Sequence, residues 1–406
     1  MPDLKVILLA SARSYRNALF DEAAQRLGIE VVHGDDIPLP LLHRSRADLP
    51  LDYRDLVRST DAIVAHVQEH PVSAILGVDD SGTLLAARAS AHLGLRGNDP
   101  EAAAAARDKH VMRQRFAAAG VPSPAFRVFH TGDDPRAVAE AVSYPCVIKP
   151  TTLSGSRGVM RADTPEELVQ RWERLCRILS GERCDEVIVE DYVPGVEVAL
   201  EGLLDRGRLH VLALFDKPDP LVGPFFEETI YVTPSRLAAD AQARIATAAG
   251  AAAAALGLAH GPVHAELRWN EQGPWLVEVA GRSIGGLCSR TLRFGVGDSL
   301  EELILRQACG LPLDMAREGK AAGVMMVPIP RRGLLRAVHG VGEARAVPLV
   351  EGVEITARPG GSLLPLPEGD AYLGFIFARG ETPEAVEAAL REAHGKLRFE
   401  IAPELI

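Results

Sequence analysis

Two acidic residues on one predicted β-hairpin constrain this chain more than any other feature. Glu266 lies in His264-Ala265-Glu266-Leu267-Arg268-Trp269, and Glu278 in Trp275-Leu276-Val277-Glu278-Val279-Ala280-Gly281-Arg282. The turn-forming stretch 270–274 separates them. Alternation puts Val263, Ala265, Leu267 and Trp269 on one face of the first strand and Glu266 on the other. On the second strand Trp275, Val277 and Val279 are predicted to share a face that Glu278 opposes. A hairpin centred on Gln272 sets Glu266 directly across from Glu278. Like charges so placed, about 4.5–5.5 Å apart, destabilise a strand pair. A cation between them removes the conflict. Hard divalent ions such as magnesium choose oxygen ligands of this kind, usually shared with substrate phosphates. The expectation is therefore a phosphate-binding apparatus elsewhere in the chain.

Lys149 ends the apolar run 146–149 and is followed by Pro150-Thr151-Thr152-Leu153-Ser154-Gly155-Ser156-Arg157-Gly158. Small residues let backbone N–H groups approach phosphate oxygens, and the lysine adds a point charge. No Gly-Lys-Ser/Thr follows, so this is not a Walker A loop. A flexible hairpin loop with a surface lysine is the other reading. Downstream, Val189-Glu190-Asp191-Tyr192-Val193-Pro194-Gly195 leads to Glu197. An apolar strand ending in an acidic-aromatic turn suits an adenine slot, or is an ordinary strand end. Lys109, after Asp108, and Lys217, after Asp216, are further candidates for phosphate, or exposed lysines.

Length and composition bound the class. The chain has 406 residues, enough for two or three domains, and 47% are hydrophobic. The net charge of −11 argues against nucleic acid, whose partners are basic. No apolar run reaches membrane-spanning length, and the start of the chain reads as a strand rather than a signal peptide. Five scattered cysteines without Cys-x-x-Cys suit free thiols, and the expected location is cytoplasmic.

Three domains are expected, at 1–98, 99–309 and 310–406. The first alternates strand (5–10, 29–33) and helix (15–27, 82–93), with short apolar runs at 61–68 and 74–78, as in a small parallel α/β domain. It lacks Gly-x-Gly-x-x-Gly after its first strand. Asp99-Pro100 opens the second, with one helix through 102–119. Thr164-Pro165-Glu166-Glu167 reads as a capping box. Strands follow at 187–192, 196–204 and 209–215, then an Ala-rich helix at 237–257, the acidic hairpin and a helix at 299–309. The last region, with strands near 323–329, 353–356 and 372–378 and a helix at 382–396, reads as an α+β cap.

The order of these pieces resembles the ATP-grasp superfamily. A helix lysine, a strand lysine, a Gly-rich loop, a Val-Glu-Asp-Tyr-Val hinge, two glutamates and an arginine follow one another as in that superfamily, over about 99–305. The resemblance implies an ATP-grasp fold, α/β and α+β multidomain, with an N-terminal parallel α/β domain and a C-terminal α+β cap. It implies that Lys109 and Lys149 hold nucleotide phosphates under a loop of Gly155, Ser156 and Gly158. Glu190, Tyr192 and Val193 would form the adenine hinge, and Glu197 would contact ribose. Glu266 and Glu278 would bind magnesium, with manganese an alternative, and Arg282 would steady the transferred phosphoryl group. Many members carry an Asn where this chain has Ala280. The segment 223–234 is similar to that of L-amino-acid ligases, which makes Glu228 the candidate for a compensating ligand.

The implied reaction joins a small-molecule carboxylate, activated by ATP as an acyl phosphate, to an amine. Arg290 and Arg293 are candidates for a substrate carboxylate, and Gly285-Gly286 for backbone donors to an acyl-phosphate oxygen. A purine-pathway or biotin-carboxylase-like ligase, or a nucleotide-binding sensor without catalysis, are the alternatives. A homodimer is possible on the same resemblance.

Overall fold

The structure, a computed structural model, describes residues 4–11, 14–37 and 48–404. Its first unit runs β1 (Lys5–Ser11), α1 (Asn17–Leu27), β2 (Glu30–Asp36), β3 (Leu49–Leu51), α2 (Leu56–Glu69), β4 (Ala74–Gly77) and α3 (Asp80–Leu93). The strands pair in parallel in the order β3-β2-β1-β4. The apolar run expected at 61–68 belongs to α2, not to a strand. Asp55 caps that helix by accepting from Arg58 N, and Ser59, Thr60, Ile63 and Val64 form its buried stripe at helical spacing.

The second unit opens with α4 (Pro100–Ala105) and α5 (Lys109–Ala119), two helices where the sequence suggested one. Asp108 causes the break: its carboxylate accepts from His110 N and Val111 N, starting a new helix at Lys109. Then come β5 (Phe126–His130), α6 (Pro135–Glu140), β6 (Cys146–Pro150), β7 (Met160–Ala162), α7 (Pro165–Leu179) and β8 (Glu186–Asp191). These strands form an antiparallel sheet in the order β5-β8-β6-β7. Val138, Ile148, Trp172, Leu175 and Val187 fill the core between that sheet and its helices.

The chain continues through β9 (Val196–Asp205), β10 (Arg208–Asp216), β11 (Ile230–Thr233), α8 (Ala239–Leu256), β12 (Gly261–Asn270), β13 (Gly273–Ala280) and α9 (Leu300–Ala308). The remainder holds β14 (Ala321–Val327), β15 (Gly333–His339), α10 (Val341–Arg345), β16 (Val350–Ile355), β17 (Ser362–Leu363), β18 (Gly374–Gly380), α11 (Pro383–Lys396) and β19 (Arg398–Ala402). An eight-stranded sheet, β13-β12-β9-β10-β11-β14-β18-β16, runs across residue 310 without a break, because β11 pairs directly with β14. The expected boundary thus falls within one hydrogen-bonded surface. Among the described residues no helix is long and apolar enough to cross a membrane.

Candidate functional site

The acidic hairpin is the floor of a cleft between the eight-stranded sheet and the β5-β8-β6-β7 sheet. Glu266 does face Glu278. The route differs from a simple hairpin centred on Gln272. The turn is the two-residue Glu271-Gln272, since Asn270 pairs with Gly273, and a bulge at Val277 then restores the Glu266–Glu278 pairing. That bulge overturns the expected shared face of Trp275, Val277 and Val279. Leu276 sits opposite Leu267 in the core beside Val279, while Trp275 and Val277 stay half-buried. The bulge also frees the Val277 carbonyl, which accepts from Arg113 Nη2 at 2.6 Å.

Alternation along β12 puts His264, Glu266 and Arg268 on the cleft face, while Val263, Ala265 and Leu267 enter the core. The neighbouring β9 answers residue by residue: Glu201 lies opposite His264 and Glu197 opposite Arg268. The charges pair across the strands, His264 Nδ1 with Glu201 at 3.1 Å and Arg268 Nε with Glu197 at 3.0 Å. His264 Nε2 reaches Glu266 at 3.4 Å. Burial alone would lower the His264 pKa, but its hydrogen bonds to Glu201 and Glu266 push it up to about 9. It is thus a cation at neutral pH, and with Lys217 it holds the Glu266 carboxyl well below the usual range despite burial.

Each lysine of the cleft has an acid partner. Lys109 Nζ donates to Leu153 O at 2.7 Å and lies 3.3 Å from Glu278. Lys149 Nζ lies 2.7 Å from Glu190 Oε2, and Arg113 Nε lies 2.8 Å from Glu190 Oε1. The Glu190 side chain is therefore engaged in a buried ion triad beneath the cleft. Lys217 Nζ meets Glu197 at 2.8 Å, Glu266 at 3.3 Å, and Glu228. Lys217, a candidate for phosphate or an exposed lysine in the sequence, is thus the buried hub of three carboxylates.

Glu197, Glu228 and Glu266 each offer a carboxylate oxygen within 4.8 Å of the others. Hard oxygen donors at this spacing fit a divalent cation such as magnesium. Glu228 joins Glu266 here, while Glu278 stays apart on Lys109. Burial and then the Glu266 charge push the Glu228 carboxyl up to about 7. Lys217→Met removes the counter-cation. We expect a loss of about 2–3 kcal/mol, below the roughly 3–5 kcal/mol of a fully buried pair, because Glu228 can take up a proton. Calorimetry with millimolar manganese or magnesium should recover much of the lost thermal stability. No recovery would count against a cation site among these three acids.

The Gly-rich loop joins β6 to β7 over the cleft. Gly155, Ser156 and Gly158 all have left-handed backbones, with φ of 64°, 56° and 76°, a geometry that turns successive N–H groups to one side. A Cβ at Gly158 would stand 2.9 Å from Leu175 Cδ1. The loop is fastened to the segment 364–370: Gly158 N donates to Pro367 O at 2.9 Å, Arg157 Nε to Glu368 O at 3.0 Å, and Arg174 forks onto the Glu368 carboxylate at 2.6 and 2.8 Å.

At the hinge, Tyr192 N donates to Pro145 O, and the Tyr192 ring lies beneath Arg161, 4.1 Å from its centroid, and Arg268. Tyr192, Val193, Glu197, Lys109, Lys149, Ser156, Glu228, Glu266 and Glu278 all line one cleft. Arg282, two residues beyond β13, feels the charge of Glu278, and its Nη2 donates to Asp80 Oδ2 at 2.9 Å. Arg290 pairs with Glu354 and Arg293 with Glu351, both on the half-exposed surface of the last region, not in the cleft. Gly286 has φ 58°, and a Cβ there would meet Phe375 at 2.9 Å, which accounts for glycine by packing. Sequence reasoning passed over Arg113, Arg268, Glu201 and Asp80. Arg113 sits four residues after Lys109 on one helix face, and Arg268 shares the period-two face of Glu266, so two of the four carried a signal.

Residues 142–291 match the family model of the ATP-grasp domain, and residues 325–402 that of the L-amino acid ligase C-terminal domain 2. The chain is 30% identical to an alanine–anticapsin ligase of Bacillus subtilis over 243 residues, 55% of this chain and 51% of that one. It is 27% identical to the protein y4rH of Sinorhizobium fredii over 314 residues, 76% of this chain and 64% of that one. It spans about half to under two thirds of the length of these relatives. The fold is similar to that of an L-amino acid ligase from Bacillus licheniformis, with a TM-score of 0.83 at 24% identity, covering 99% of this chain and all of that one.

Proposed function

We propose that this chain, which joins an ATP-grasp domain to an L-amino acid ligase C-terminal domain, is an ATP-dependent, ADP-forming ligase that makes an amide between an amino-acid carboxylate and an amine. One observation carries the reading. A single cleft gathers Lys109 and Lys149 with Glu228, Glu266 and Glu278, with Lys217 bonded to two of those acids, under a loop of left-handed residues. Cations for phosphates and acids for a divalent ion are otherwise a costly thing to bury together.

Magnesium carried with ATP would supply charge neutralisation at the phosphates. Glu228, Glu266 and Glu278 would hold it, with Glu197 either a further ligand or the ribose contact. Lys109 and Lys149 would exchange their carboxylate partners for phosphate oxygens, and the loop of Gly155, Ser156 and Gly158 would bring backbone N–H groups over them. Tyr192 and Val193 would border the adenine. Arg282 would balance the charge that develops as the substrate carboxylate takes the phosphoryl group and as phosphate leaves on attack by the amine. The protein contributes placement and electrostatics and needs no nucleophile of its own.

The test is phosphate release from ATP and magnesium across a panel of amino-acid pairs, with the product read by mass. Release that depends on the pair, with a new amide, is the expected result. Tight ATP binding without turnover on any carboxylate would instead favour a nucleotide sensor.

A further inference from the structure

We infer that Asp80, contributed by the N-terminal parallel-sheet unit, is a positioning residue for Arg282 that keeps its guanidinium aimed at the reacting phosphoryl group. The inference rests on the ligase reading above. The ion pair joins residues 202 positions apart, with side chains 14% and 29% exposed for Arg282 and Asp80.

Arg282 is tied at two points. Nη2 donates to Asp80 Oδ2 at 2.9 Å, and Nη1 donates to Ser283 O at 3.0 Å. A guanidinium carries five N–H donors in a rigid fork, so most of them remain for an anion. The main chain beside it is pinned as well. Arg16, 2% exposed, donates to Ser283 O at 3.3 Å and to the Ser283 hydroxyl, and Glu201 accepts from Ile284 N at 3.0 Å. Two residues of the N-terminal unit, Arg16 and Asp80, thus fasten two successive residues of the loop after β13.

Asp80 is itself well anchored. It is the first residue of α3, whose cap Asp79 accepts from Ser81 N at 3.1 Å and from Ser11 N, at the end of β1, at 3.0 Å. An aspartate in this position stands among cations. Burial would raise its pKa, but Arg282 first, then Lys109 and Arg107, hold it below the usual carboxylate range. The same cations would receive a phosphoryl group, so an acid here competes with the substrate unless it serves a purpose. The purpose follows from what Arg282 would do without it. Glu278 is the next acid acting on the guanidinium. An Arg282 released from Asp80 would be drawn toward Glu278, a carboxylate that the ligase reading assigns to metal. Asp80 separates the two.

The test uses Asp80→Asn, Arg282→Met and the double variant of the full chain, with the substrate pair that the wild type turns over. Asp80→Asn is expected to lower kcat by about 10–100-fold, the range for losing an outer partner of a functional group, with the KM for ATP unchanged. The loss should vanish in the Arg282→Met background. A kcat equal to wild type, or an Asp80→Asn loss that persists undiminished without Arg282, would overturn the inference. A second measurement needs no turnover. Phenylglyoxal modification of Arg282, followed by peptide mass, should be faster in Asp80→Asn than in wild type, and an equal rate would also overturn it. If the wild type turns over no pair while Asp80→Asn still accelerates modification, the ligase reading falls and the pairing stands.

Discussion

Glu190→Gln is expected to destabilise the fold by about 3–5 kcal/mol, the cost of removing one partner from a buried ion pair. Arg113 is 0% and Lys149 4% exposed, and both rely on this carboxylate. The substitution keeps the shape and deletes the charge, which leaves two buried cations facing one another. Burial already pulls the Lys149 pKa down, and the Glu190 charge is what opposes it. Without that charge the ammonium sheds its proton more readily, and the cleft loses a cation proposed for phosphate too. Denaturant midpoints at an unchanged m-value report the loss. A shift of about 1 kcal/mol or less, typical of an exposed pair, would show that solvent reaches the triad.

The same group fixes a pH dependence. Burial would raise the Glu190 pKa, yet Arg113 and Lys149 hold it below the usual carboxylate range. A carboxylate depressed on folding stabilises above its unfolded pKa, and that contribution is lost as pH falls through the folded value. Wild-type stability should therefore drop on acidification below about pH 4.3, the ordinary glutamate value, with a shallower slope in Glu190→Gln.

Glu278→Gln should reduce turnover by roughly 10²–10³-fold or more, on the scale of losing one electrostatic contact to a transition state, while the fold stays intact. Glu278 differs from Glu190 in its setting. Its side chain is 30% exposed at the cleft, and its partner Lys109 keeps a second bond to Leu153 O. Removing the charge thus leaves no fully buried orphan. Thermal midpoints near wild type with phosphate release near background are the expected pair of results. Activity close to wild type would refute the assignment of Glu278 to the metal or phosphate machinery.

The sequence made the hairpin acids legible because two like charges across a strand pair need an explanation wherever they occur. The route by which they meet was not legible. A bulge shifts one strand by a residue, and nothing in Val277 announces it. The cation partners were harder still. Glu197 with Arg268 and Glu201 with His264 are contacts between β9 and β12, set by a register that only the assembled sheet defines. Single-strand alternation could place His264 and Arg268 on the polar face, but not name what they face. Asp80 lay beyond any local pattern, since its partner belongs to another unit. Elements with strong local signals, such as the Asp99 cap and the Ala-rich helix, were found within a few residues. The helix break at Asp108 was missed because good helix formers on both sides hid a second cap.

The eight-stranded sheet has a consequence for how such chains can diverge. The last region supplies β14, β18 and β16, and β14 lies directly against β11. Cutting the chain near residue 310 would strip β11 of its neighbour and expose a raw edge, a template for aggregation. The last region is therefore a structural part of this sheet, bound to it by the β11–β14 pairing. Even its segment 364–370 is constrained, since Pro367 O and Glu368 hold the Gly-rich loop. Its strands must keep a register written in the preceding two hundred residues.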